Sequence, residues 1–179
     1  MSKESFHASG TTTAFRGATQ ETWWDPQHGL HMRVTGTVSG DVYCKDGTSY
    51  TSAPLFAAAL RQRGQSVTVP NRRADTYVTS TTTSGCDMYY RIPEVVRAAP
   101  DRDRLVNGRR ASAFETPAGS TQGVYFLEDG QLRLILVEST RSGRTSTTSY
   151  DSFGKPSSFE MPVAGRTMSV EQFRAAIGG

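Results

Sequence analysis

Gly123-Val124-Tyr125-Phe126-Leu127-Glu128-Asp129-Gly130-Gln131-Leu132-Arg133-Leu134-Ile135-Leu136-Val137-Glu138 reads as two strands and the turn between them. Aliphatic and aromatic residues fill both flanks, and Asp129-Gly130 stands where the chain must reverse. Working outward, residues 111–115 form a preceding strand and residues 145–150 a following one, the latter reached through Arg141-Ser142-Gly143-Arg144. Glycine there supplies the positive φ that a tight hairpin needs. Strict alternation over residues 132–137 places Leu132, Leu134 and Leu136 on one face and Ile135 and Val137 on the other. A strand apolar on both faces is covered on both.

The first third repeats the pattern. Residues 5–15 and 19–24 are strands around Arg16-Gly17-Ala18, and Asp25-Pro26-Gln27-His28-Gly29 is a turn. Leu30, Met32 and Val34 alternate with His31, Arg33 and Thr35, and Val38, Val42 and Tyr50 continue around an Asp46-Gly47 turn. The middle changes period. Residues 54–63 form a helix between Ser52 and Gly64, with Leu55, Phe56, Ala59 and Leu60 as its apolar stripe. A strand over residues 76–82 follows, then a second short helix over residues 92–99 that Pro100 ends. The last helix starts at Ser169, with Gln172 placed to complete a capping box and Val170, Phe173, Ala176 and Ile177 on its buried side. Strands, central helices, strands and a terminal helix, with no linker and no repeat, specify one α+β domain over residues 1–179. The expected architecture is a strongly curved antiparallel sheet, a half-open β-barrel, with helices packed on its concave side.

Charged residues are 21% of the chain and hydrophobic residues 36%, a composition of globular proteins and not of disordered ones. The net charge of +3 is spread without a basic run, and lysine occurs only at Lys3, Lys45 and Lys155, so no nucleic-acid partner is expected. No stretch reaches the roughly 20 apolar residues of a membrane-spanning helix. Met1-Ser2-Lys3-Glu4 leads directly into strand-like sequence, which leaves a cytosolic protein or an exported one whose signal has been removed. Cys44 and Cys86 both sit beside turn residues in a Ser/Thr/Gly-rich β protein, and a disulfide between them is expected.

Motifs of catalysis are missing from the sequence. It contains no Gly-x-Ser-x-Gly, no His-Glu-x-x-His and no phosphate-binding glycine loop. His28 and His31, near Asp25, invite a metal reading, but strand spacing sends them to opposite faces and no further His or Cys completes a zinc set. They are expected to be turn and surface histidines, His7 a solvent-facing one, and no metal or cofactor is expected. Asp101-Arg102-Asp103-Arg104 reads as a solvated loop, and of the adjacent Trp23 and Trp24 only one can face inward.

Three segments carry a family resemblance. Glu4-Ser5-Phe6-His7-Ala8-Ser9-Gly10-Thr11 resembles the opening strand of the LolA/LprG-like lipoprotein-carrier superfamily in its actinobacterial, secreted form. Leu105-Val106-Asn107-Gly108-Arg109-Arg110-Ala111 resembles an internal strand entry of those proteins. Tyr150-Asp151-Ser152-Phe153-Gly154-Lys155-Pro156, followed by Phe159-Glu160-Met161-Pro162, is similar to their closing strand. The resemblance implies an exported, lipid-anchored protein on the outer face of the cell membrane that carries lipids in a cavity without catalysis. The chain departs from the pattern in lacking the anchoring cysteine and in having the Cys44/Cys86 pair.

The leading expectation is therefore a cell-envelope lipoprotein, not an enzyme, that binds a hydrophobic or lipid-like small molecule. Its membrane contact would run through a lipid anchor that this sequence does not include. The candidate ligand-binding residues are Phe6, Trp24, Met32, Val34, Leu55, Phe56, Leu60, Leu134 and Leu136. A protein–protein or regulatory module with a filled core is the alternative, and a hydrolase using Ser and His stands third.

Overall fold

Period-2 patterning carries most of this chain into strands, and a computed structural model describes them over residues 3–117, 119 and 121–177. Met1 and Ser2, which open the chain, lie outside the described residues. The elements are β1 (Phe6–Thr11), β2 (Ala18–Asp25), β3 (Gly29–Gly36), β4 (Gly40–Lys45), β5 (Thr48–Ser52), α1 (Ala53–Gln62), β6 (Tyr77–Thr81), β7 (Arg97–Ala98), β8 (Arg104–Val106), β9 (Arg109–Glu115), β10 (Thr121–Glu128), β11 (Leu134–Arg141), β12 (Arg144–Asp151), β13 (Thr167–Ser169) and α2 (Val170–Ala176). All the strands join one sheet in the order β13-β6-β5-β4-β3-β2-β1-β12-β11-β10-β9-β7, with β8 on β9. Two antiparallel meanders, β1–β6 and β9–β12, are sewn together where β1 pairs with β12. The sheet is not wholly antiparallel, because β13 returns to lie parallel to β6. Its ends do not meet, so it is curved but open.

Local chemistry sets the joints. Asp46-Gly47 and Ser142-Gly143 have positive φ at both central positions, the twist that two-residue hairpins require. Ser169 accepts from the Gln172 amide at 3.2 Å while the Gln172 side chain accepts from the Ser169 amide at 2.8 Å, so the expected capping box starts α2. Asp25 ends β2 and gathers three amides, from Gln27 at 2.9 Å, His28 at 3.2 Å and Ser157 at 3.4 Å. Gly10 is where β12 crosses closest to β1; a Cβ there would overlap the carbonyl oxygen of Thr147.

Two sequence expectations need correction. Residues 92–99 are not helical: after a 3-10 turn at Cys86–Tyr89 the chain runs extended into β7, where Arg97 and Ala98 pair with Glu115 and Phe114. A helix of eight residues with Pro93 inside it and Pro100 behind it closes few hydrogen bonds, whereas the edge of β9 offers ready partners such as Ala99 N to Ala113 O at 2.9 Å. The face assignment in β11 also fails. Leu132 is a turn residue at φ +52° and largely exposed, and a bulge pairs Phe126 with Leu136 but Leu127 with Leu134. The extra residue, Ile135, breaks the alternation, so Leu134 and Val137 face one side while Ile135 and Leu136 face the other.

Three clusters of buried side chains follow. The largest joins Phe6, Leu30, Cys44, Leu134 and Tyr150 of the sheet to Leu55 and Ala58 of α1. A second, on the opposite face, places Val124, Phe126, Ile135 and Leu136 under Ala99 and Val106 of the chain that wraps across β9. The third packs Ala53, Ala57 and Leu60 of α1 against Val78, Met168 and Phe173, so the stripe read on α1 is shared between two clusters.

Two outcomes follow. Gly10→Ala forces β12 away from β1 and should lower the unfolding free energy by about 1–3 kcal/mol in urea titration. For Asp25, burial raises the carboxyl pKa, but the Gln27, Ser157 and His28 amides and the His28 ring outweigh it and hold it below its ordinary value of 3.8. A depressed folded-state pKa means that the contribution is complete above pH about 4 and lost as pH falls through the folded value. The stability gap between wild type and Asp25→Asn should be about 1–3 kcal/mol at pH 6 and close on acidification below pH about 4.

Candidate ligand-binding site

One cavity of about 640 Å³ opens between α1 and the sheet. Met32, Val34 and Val42 form its floor from β3 and β4, with Leu55, Phe56 and Ala59 of α1 above them. The far wall comes from Tyr125, Val137 and Tyr150, on β10, β11 and β12. Thr51 on β5 and Tyr125 on β10 are seven strand spacings apart in the sheet order, about 34 Å if the sheet were flat at ~4.8 Å per strand. Both touch the same cavity, so the sheet must roll around it.

A third wall depends on a covalent link. Cys44 on β4 is bonded to Cys86, with Cα atoms 5.5 Å apart and no free cysteine among the described residues. The bond closes a loop of 42 residues, worth about 4 kcal/mol in chain entropy. It seats the turn carrying Met88, Tyr89, Tyr90 and Arg91 at the cavity edge. Tyr90 lies between Phe6, at 5.0 Å edge-on, and Trp24, at 5.2 Å. Tyr89 shares a 2.9 Å hydrogen bond with Ser49. The Tyr90 hydroxyl and Trp24 Nε1 are buried without partners among the described residues, and burial raises the Tyr90 pKa. Leaving such groups unpaired costs about 1–3 kcal/mol each, which the disulfide, the ring packing and the Tyr89–Ser49 hydrogen bond offset. Tyr150 is likewise raised, first by burial and then by Tyr125, and stays neutral.

The candidate residues separate by position. Met32, Val34, Leu55 and Phe56 line the cavity. Phe6, Trp24 and Leu134 belong to the packed layer beside it. Leu60 packs toward Phe173, and Leu136 lies on the opposite face of the sheet. Phe15, Met88–Arg91, Tyr125 and Val137 also line the cavity and were not among the candidates read from the sequence. The turn after Cys86 was findable once the disulfide was assumed; Val137 was hidden by the bulge.

His28 is an exposed turn residue as read, and the opposite face corrects the reading of His31. His31 is only 7% exposed, not a surface residue; it donates from Nε2 to Asp41 Oδ1 at 2.7 Å and stacks on Tyr43 at 4.4 Å. His28, in the turn, does not follow strand alternation, and its ring reaches Phe159 at 6.5 Å as His31 does at 5.6 Å. His7 is hydrogen-bonded to Asp151 at 3.1 Å. Residues 101–104 are all exposed, and Asp103 accepts from the Ala113 amide at 2.7 Å. Among the described residues no group of three or more His, Cys, Asp or Glu is placed to hold a metal, and no hydroxyl hydrogen-bonds to a histidine ring. No described helix is long and apolar enough to cross a membrane.

No protein-family model matches the chain, and no curated protein matches it in sequence. Among solved structures, LprF from Mycobacterium bovis aligns at 10% identity over 90% of each chain with a TM-score of 0.47. The lipoprotein LppX of Mycobacterium tuberculosis aligns at 9% identity over 87% of this chain and 89% of its own, with a TM-score of 0.52. Identity this low speaks of fold alone: this chain is similar in overall architecture to the lipoprotein LppX.

Proposed function

We propose that this protein is a non-catalytic carrier or receptor that holds a hydrophobic, lipid-like ligand between α1 and the rolled sheet. The observation that carries the reading is the cavity of about 640 Å³ with an apolar floor between α1 and the sheet. That size falls in the range of about 300–1,000 Å³ common for small-molecule sites. Each methylene moved from water into such a space contributes about 0.8 kcal/mol, so a medium-length chain binds without any polar contact. Met32, Val34, Leu55 and Phe56 would bear the hydrocarbon, with Val137 and Tyr125 across from them.

The cell envelope is the compartment that suits this role. A disulfide on which one cavity wall depends persists in an oxidising space. A lipoprotein architecture, as in LppX, fits an anchored or secreted protein. A protein–protein module is the weaker reading, because it would want a large exposed apolar patch, for which Trp23 and Tyr89-Tyr90 are the aromatic candidates. Tyr90 is buried, Tyr89 and Trp23 are half-buried, and the exposed large apolar residues Met88, Val95, Leu105, Leu132 and Val163 stand on separate segments of the chain.

A pair of substitutions tests the cavity. Val137→Trp should fill it, abolish uptake of a fluorescent fatty-acid probe and change stability by less than about 1 kcal/mol. Leu136→Trp, one residue away in a packed layer on the other face, should cost about 1–3 kcal/mol and leave probe uptake intact. Probe binding that ignores Val137→Trp, or a parent protein that takes up no probe, would overturn the carrier reading.

A further inference from the structure

The cavity between α1 and the sheet changes character along its own walls. On β11 the side chains that face it run Val137, Ser139, Arg141, and on β12 they run Tyr150, Thr148, Ser146. The two strands pair Val137 with Thr148, Ser139 with Ser146 and Arg141 with Arg144, so the rungs grow more polar toward the hairpin that joins them. The Tyr125 hydroxyl belongs to the same gradient. Gly123 pairs with Ser139, and a Cβ on Gly123 would sit 2.8 Å from that hydroxyl, which therefore stands near the Ser139 rung. On α1 the lining stripe of Leu55, Phe56 and Ala59 also ends in an arginine, Arg63.

Charge in this space has one sign. Among the described residues the charged side chains lining it are Arg63, Arg91 and Arg141, and no Asp or Glu lines it. Arg91 is already forked onto Asp87, at 2.9 and 2.8 Å. Arg63, Arg141 and Arg144 have no carboxylate within 4 Å among the described residues. Arg141 and Arg144 moreover stand directly opposite each other on one face of the hairpin. Like charges so placed destabilise a strand pair, and an anion beside them removes the penalty.

We propose that the ligand is an acidic amphiphile, whose carboxylate or phosphate head is held by Arg141 while its chain lies over Met32, Val34, Leu55 and Phe56. Arg144 and Arg63 add to the positive field at that head. The inference rests on the carrier reading and adds to it the chemistry of the head. A guanidinium donates in a planar fork that matches a carboxylate or phosphate, and it holds its charge at any physiological pH. Arg63 and Arg141 are both exposed, so the anion stays at the solvent edge and only the chain is desolvated. A cationic head would find no counter-charge on these walls, and an uncharged one would use the hydroxyl rungs but leave the arginines unpaired.

The test holds the chain constant and changes the head. Dodecanoate, dodecyl phosphate, dodecanol and dodecyltrimethylammonium are titrated into the full chain by calorimetry, each below its micelle concentration. The two anions should bind about tenfold or more tighter than dodecanol, with the cation weakest. That preference should shrink as sodium chloride is raised, because the arginines are exposed. The double variant Arg63→Gln/Arg141→Gln should bring the anions down to the affinity of dodecanol while dodecanol itself binds as before, which shows that the cavity is intact. Dodecanol bound as tightly as dodecanoate, or an anion preference that survives the double variant, would overturn the assignment of the head and leave the carrier reading standing. Failure of all four to bind would overturn both. Inorganic phosphate bound as tightly as dodecyl phosphate would overturn the amphiphile in favour of a free anion.

Discussion

Everything in this molecule hangs on the seam between β1 and β12. Each meander taken alone would leave long unpaired edges; paired through His7–Asp151, Ala8–Tyr150, Ser9–Ser149 and Gly10–Thr148, they become one surface. The seam joins residues about 140 positions apart, so its loop entropy is recovered only when the whole sheet forms. It also brings the β10–β12 walls around to face α1. Gly10 matters here because no side chain fits between the two backbones at that point.

Once rolled, the sheet has two unlike faces, and each is finished by a different piece of irregular chain. On the inner face the Cys44–Cys86 bond holds a turn at the cavity edge, against the cost of two unpaired polar groups. On the outer face Asp25 anchors residues 156–159 through Ser157, so the carboxylate that ends β2 also positions Phe159 over His31. Farther along that face, residues 97–106 seal the second cluster, and Arg104 lies 4.2 Å over the Phe126 ring. A polar-lined hollow of about 370 Å³ remains beside that wrap, between Arg97, Arg102, Glu115 and Glu138, whereas the space beside α1 has an apolar floor.

Features whose physics is local were legible in the sequence. The hairpin glycines, the capping box of Ser169 and Gln172, the amphipathic α1 and the paired cysteines each declare themselves within a few residues or by simple count. What failed depends on a distant partner. Ile135 becomes a bulge only through the register with β10, and that single slip moved Leu136 off the cavity face and Val137 onto it. Residues 92–99 hold apolar positions that suit a helix until the edge of β9 competes for their backbone. The burial of His31 was invisible for the same reason, since His31 and Tyr43 meet only once β3 and β4 are in register.

The most direct test of a ligand-holding cavity is native mass spectrometry of the protein recovered from a lipid-containing host. The account predicts discrete adducts with the masses of acyl-bearing molecules, lost on denaturation and missing from Val137→Trp. A single bare mass from the wild-type protein, unchanged after incubation with excess fatty acid, would contradict it.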